Sequence, residues 1–91
     1  MATMLLARYE VADRARFLEE FDAFEAERAR AGGVTRSLLV SVGEGVAFVA
    51  LVEFATRAEA EGFAGGPQRR AALDRATVTG HTDELLEVMR P

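Results

Sequence analysis

The order of apolar patterns along this chain predicts an α+β domain in which strands and helical regions follow one another as β-α-β-β-α-β. Three observations predict it. Runs rich in β-branched, leucine and aromatic side chains occupy residues 4–11, 34–42, 46–54 and 82–89. Helically spaced apolar residues fill the stretches after the first and third of these runs. Gly43-Glu44-Gly45 separates the two middle runs by the length of a three-residue hairpin turn.

The first run, MLLARYEV, carries apolar side chains on both faces, and Asp13 follows as a helix N-cap whose carboxylate accepts from free N–H groups of the first turn. From Arg14 to Arg30 the spacing is helical. Phe17, Leu18, Phe21 and Phe24 form one stripe, and Glu19, Glu20, Asp22, Glu25 and Glu27 mark the solvated side. Gly32-Gly33 stops this helix, since glycine tolerates positive φ. The strands Val34–Val42 and Val46–Phe54 follow. Their Gly-x-Gly turn is not a dinucleotide loop, because the third glycine is missing and a strand follows where a helix is required. Thr56-Arg57-Ala58-Glu59 is a capping box. The helix it opens is interrupted at Gly65-Gly66 and resumes at Pro67, a residue suited to a first helical position, until about Ala76. Val78 to Gly80 end this second helical region, and Thr82–Met89 supply the last strand. The sum is the split-βαβ, or ferredoxin-like, arrangement.

Ninety-one residues make a single domain, 1–91, that buries only roughly 60–65% of the surface its unfolded chain exposes. With 49% hydrophobic residues, association is one way to hide the surplus. There is no cysteine, hence no disulfide and no thiolate metal site. The net charge of −4 and dispersed arginines argue against nucleic acid as a partner. The N-terminal MATMLLARYE lacks the basic region of a signal peptide, and its apolar run is too short to span a membrane, so a cytoplasmic location is expected.

The third strand is the most informative. Val46, Phe48, Ala50, Val52 and Phe54 lie on one face, and Ala47, Val49, Leu51 and Glu53 on the other. A strand with one wet face alternates apolar and polar residues; this one does not until Glu53. The first strand behaves alike, with Leu5, Ala7, Tyr9 and Val11 opposite Met4, Leu6 and Arg8. In this topology both helical regions cover one sheet face, which leaves the other bare and apolar. A homodimer packed sheet to sheet is therefore expected.

This element order, the two-faced strands, the helix TRAEAEGFAGGPQRRAAL and the turn VTG before the final strand resemble the dimeric α+β-barrel superfamily, and within it antibiotic-biosynthesis-monooxygenase-like and small actinobacterial cyclase-like proteins. The likeness covers essentially the whole chain and is architectural. Members include cofactor-free oxygenases, polyketide cyclases, lactone isomerases, haem-degrading enzymes and ligand-sensing domains, so the fold does not select the chemistry. Haem-degrading relatives use a helical histidine with a tryptophan and an asparagine, and this chain has neither Trp nor Asn. Stress-responsive members carry a histidine on the first strand, where Arg8 and Tyr9 stand here.

The candidate catalytic residues are His81, Tyr9 and Arg8. His81, the one histidine, has the residue type for general acid–base work near neutral pH; its other reading is a polar residue at the sheet rim. With only Asp83 and Glu84 beside it, a metal site is not expected. Tyr9 can donate to a substrate oxygen or bury its ring with the hydroxyl satisfied. Arg8, a charge on a central strand, calls for a partner such as Glu53 or Glu87, an arrangement either structural or suited to holding an anionic or phenolic substrate. Phe17, Phe21, Phe48 and Phe63, with Glu53, are the candidate substrate-binding residues, the phenylalanines doubling as core. Ser37 and Ser41 read as edge-strand polar residues, and Gln68-Arg69-Arg70 as a solvated helix face or, alternatively, as holding an anion at a helix start. The resemblance implies a cofactor-free monooxygenase or polyketide cyclase acting on an apolar or aromatic molecule between sheet and helices. A non-catalytic ligand-binding or regulatory module is the alternative.

Overall fold

A computed structural model of the chain describes residues 1–43 and 45–90. The strand Thr3–Val11 (β1) buries Thr3, Leu5, Ala7, Tyr9 and Val11 on one face, as the two-residue strand period requires. Helices Arg14–Ala23 (α1) and Glu25–Arg30 (α2) follow, then strands Val34–Val40 (β2) and Ala47–Phe54 (β3). Helices Arg57–Ala64 (α3) and Pro67–Arg75 (α4) lead to the strand Val78–Glu87 (β4). The sheet is antiparallel in the order β2-β3-β1-β4, so β1 and β3 are central, as expected of the ferredoxin-like arrangement. No helix among the described residues is long and apolar enough to cross a membrane.

The local signals act as their chemistry dictates. Asp13 Oδ1 accepts from Arg16 N–H at 3.0 Å, and Thr56 Oγ1 from Glu59 N–H at 3.2 Å, closing the capping box with Glu59. At the end of α2 the Gly33 N–H bonds the Arg28 carbonyl and the Gly32 N–H that of Ala29, a Schellman closure. Gly32 holds φ at +95°, and a Cβ on Gly33 would lie 2.8 Å from Val52 Cγ1. The pair thus serves both the turn and the close approach of the chain to β3.

Two boundaries differ most from expectation. The first helical region is two helices divided at Phe24 (φ −86°, ψ 0°), and Arg28 is the buried residue of α2. The last strand starts at Val78, not Thr82. Thr77, at φ +60°, turns the chain out of α4 and is held by a bond from Asp13 N–H to its hydroxyl and one from Ala12 N–H to its carbonyl. Val78 then pairs with Val11, and Gly80 with Glu10 across a bulge. The β-branched Thr77-Val78-Thr79 outweighs the reading of Gly80 as a stop. Of the hairpin turn, Glu44 lies outside the described residues. Its base is tied by Ser41, whose amide donates to the Ala47 carbonyl and whose hydroxyl accepts from the Ala47 amide.

Phe48, Ala50, Val52 and Phe54 of β3 join the buried face of β1 beneath the helices, and Phe17 stacks on Phe48 with ring centroids 4.5 Å apart. Small residues, Ala60 of α3 and Ala72 of α4, bring the helices close to the sheet. The opposite face carries Met4, Leu6, Val49, Leu51, Leu39 and Leu86, but also Arg8, Glu10, Glu53 and Glu84. It is a mixed surface with an apolar middle, more polar than expected because Glu10 and Glu84 join Arg8 and Glu53 there.

A polar cluster at the edge of an aromatic slot

Between the helices and the sheet lies a narrow slot walled by Tyr9, Phe17, Phe21, Phe24 and Phe63, with Arg28, Arg69 and Glu20 supplying charge. Its volume is about 30 Å³, the space of one or two waters. Phe24 and Phe63, 6.1 Å apart, stand between it and an open cleft of about 250 Å³ bordered by Ala31, Glu59, Gly62, Gly66 and Gln68. Arg69 lines both spaces.

The sequence reading placed Arg69 in a solvated cluster, with anion binding at a helix start as its alternative, and did not find it buried. It is 4% exposed and anchors a polar cluster. Its Nη1 and Nη2 donate to the two Asp83 carboxylate oxygens at 2.7 Å each, a bidentate pair. Nη1 also donates to the Ala64 carbonyl at 3.1 Å and Nη2 to the Tyr9 hydroxyl at 3.0 Å. The guanidinium lies 5.6 Å from the Phe63 ring centre and 5.8 Å from that of Tyr9. Burial opposes the charge, and the Asp83 hydrogen bonds together with the Tyr9 contacts more than offset it, so the pKa of Arg69 is raised. The residue is a permanent cation. A signal for it existed: Arg69, Ala72 and Ala76 fall at i, i+3 and i+7, the buried stripe of α4.

His81 sits within β4, paired across the sheet with Tyr9, and therefore faces the helices. The rings lie 6.2 Å apart, and Nε2 is 3.7 Å from Asp83 Oδ2. With its side chain 38% exposed, it stands at the outer rim of the cluster. Tyr9, Phe17, Phe21 and Phe63 line the slot itself, while Phe48 lies beneath Phe17 and outside it. Arg28 is the second buried arginine. It bonds Glu25 at 2.6 Å and Thr35 at 3.1 Å and lies 3.9 Å from the Phe21 ring centre.

Arg8 and Glu53 require correction. Strand alternation puts both on the open sheet face, across the sheet from the slot. Glu53 takes Arg36 as its partner at 3.1 Å, and Glu87 pairs with Thr3, far along β1 from Arg8. Arg8 is exposed between Val49 and Thr82, so water meets the need for which a partner was expected.

No family model matches this chain, and no curated protein matches it in sequence. Solved structures do match in fold. SnoaB from Streptomyces nogalater, described as a cofactor-independent oxygenase, superposes with a TM-score of 0.80 at 16% identity, over 99% of this chain and 95% of its own. A candidate antibiotic biosynthesis monooxygenase from Nitrosomonas europaea gives 0.76 at 14% identity, over 99% and 92%. A dimeric protein of unknown function and ferredoxin-like fold from Bacteroides fragilis gives 0.60 at 19%, over 94% and 95%. The resemblance read from the sequence holds in three dimensions: this is the fold of the antibiotic-biosynthesis-monooxygenase-like proteins.

Proposed function

We propose that the protein is a cofactor-independent monooxygenase acting on a small, enolisable aromatic molecule in the slot between sheet and helices. The observation that carries this reading is the polar cluster of Tyr9, Arg69, Asp83 and His81 beside a slot walled mainly by aromatic side chains. The description of SnoaB as a cofactor-independent oxygenase supports the same class. His81, acting as the general base, removes a proton from an activated CH₂ of the substrate, and Asp83 at 3.7 Å stabilises the imidazolium formed. The electron pair left on carbon adds to dioxygen, and protonation gives a hydroperoxide. Loss of water then leaves a carbonyl: one oxygen atom stays on carbon and the other departs as water. Both reducing equivalents come from the two C–H bonds, so no external reductant is required.

The test is oxygen uptake by the purified protein with an enolisable aryl ketone. One O₂ is expected per carbonyl formed, unchanged by EDTA. His81→Ala should lower kcat at least tenfold with little change in KM. Turnover unaltered in that variant removes His81 from the mechanism. Product that cyclises without oxygen uptake points to an aldol-type cyclase using the same groups.

The closed slot, with about 30 Å³ inside, favours a second reading, a ligand-binding module that opens around its ligand without turnover. Ligand-induced thermal stabilisation with no oxygen uptake identifies it. Under either reading the chain works as a homodimer through its open sheet face, where Leu39 is 53% and Leu86 39% exposed. The dimeric, similarly folded Bacteroides fragilis protein supports this.

A further inference from the structure

Among the described residues, the one buried side-chain nitrogen or oxygen without a hydrogen-bond partner is Nε of Arg69. A guanidinium has five N–H donors, and here Asp83, Ala64 and Tyr9 take four of them. A buried donor left unmade carries the uncompensated cost of its lost hydration, so its persistence needs a reason. The planar fork supplies one. Nε–H lies on the same edge as the outer Nη2–H, which is donated to the Tyr9 hydroxyl. That hydroxyl accepts from Arg69 and, among the described residues, finds no acceptor for its own hydrogen. Two free donors, Arg69 Nε–H and Tyr9 O–H, therefore stand side by side on residues that line the slot.

We infer that Arg69 Nε–H and Tyr9 O–H form a two-donor cradle for the anionic oxygen of a phenolate or enolate, whose ring lies in the slot. The inference rests on the slot being the substrate site of the preceding section and assigns the class of oxygen it selects. Asp83 occupies the far end of the guanidinium, fixes its plane and leaves Nε as the edge that meets a ligand. Because both donors are preorganised and shielded from water, they favour the oxyanion over the neutral phenol. An aromatic ring reaches them through the outer cleft, which Arg69 also borders, once Phe63 swings away from Phe24. A ligand lacking the oxygen leaves both donors unpaired and is rejected.

The probe is 4-nitrophenol, whose phenolate is coloured and whose phenol is not, with 4-nitroanisole as the partner that cannot ionise. The wild-type protein should bind the phenolate about tenfold more tightly than the phenol, a shift of about one pH unit in the colour midpoint of the bound probe. It should bind 4-nitroanisole more weakly than either. Tyr9→Phe keeps the ring and removes one donor, and should lose most of the preference. Arg69→Lys keeps a cation for Asp83 without the fork; circular dichroism checks its fold, and it too should lose the preference. Absence of saturable binding, equal affinity for the two probes, or a preference surviving in Tyr9→Phe overturns the cradle. Oxygen uptake reports on the monooxygenase reading separately. A phenolate preference without uptake supports the cradle and sinks the oxygenase, whereas uptake without the preference does the reverse.

Discussion

At the scale of single residues, the Arg69–Asp83 pair carries the most consequence, since one ion pair joins α4 to β4 and sets the polar end of the slot. Removing one partner of a buried pair leaves the other uncompensated, at a cost of about 3–5 kcal/mol. Asp83→Ala is therefore expected to lower the urea midpoint strongly, and Asp83→Asn by less, because the amide retains an oxygen acceptor. Equal stability of both variants with wild type would show that the pair contributes little. Tyr9 was legible in the sequence as a residue of a central strand and His81 as one at the sheet rim. Their adjacency was not, because it depends on the register that pairs them, and the start of β4 hides behind the Thr77 turn. Arg69 was hidden for another reason. Its neighbours Gln68 and Arg70 make the stretch look solvated, and only the alanines at i+3 and i+7 show that the arginine lies on the buried stripe.

Among elements, strand faces and caps could be read almost directly, since period-two alternation and capping side chains are local properties of the chain. The break at Phe24 was not legible, because no glycine or proline marks it; aromatic contact with Phe63 accompanies it in the folded protein. The Gly32-Gly33 turn was legible as a helix stop, but not as a site of close packing on β3. Gly33→Ala places a methyl group 2.8 Å from Val52 and 2.9 Å from Phe54, both buried. Overpacking of this kind costs about 1–3 kcal/mol, so chemical denaturation should show a clear loss of stability. A neutral outcome would mean that the α2–β2 turn yields more easily than its Schellman bonds imply.

For the whole molecule, element order and strand composition were sufficient to predict the architecture, because four strands and their helices leave few unstrained arrangements. The open sheet face was predicted apolar apart from Arg8 and Glu53 and proved more mixed, since Glu10 and Glu84 also alternate onto it with Met4, Leu6 and Leu86. Charges around an apolar middle suit an interface core with a polar rim. Light scattering should give twice the 9.9 kDa chain mass, and Leu51→Glu, in the middle of that face opposite Leu6, should return it to one. A wild-type mass of 9.9 kDa would remove the dimer. The central claim is that the aromatic slot beside Arg69 is the working site. A crystal structure of the protein with a bound hydroxylated aromatic ketone tests this most directly. The ring is expected between Phe17, Phe21 and Phe63, with its oxygen within hydrogen-bond distance of both Arg69 Nε and Tyr9 Oη. A ligand seated on the open sheet face, or a slot still closed with ligand bound elsewhere, would contradict it.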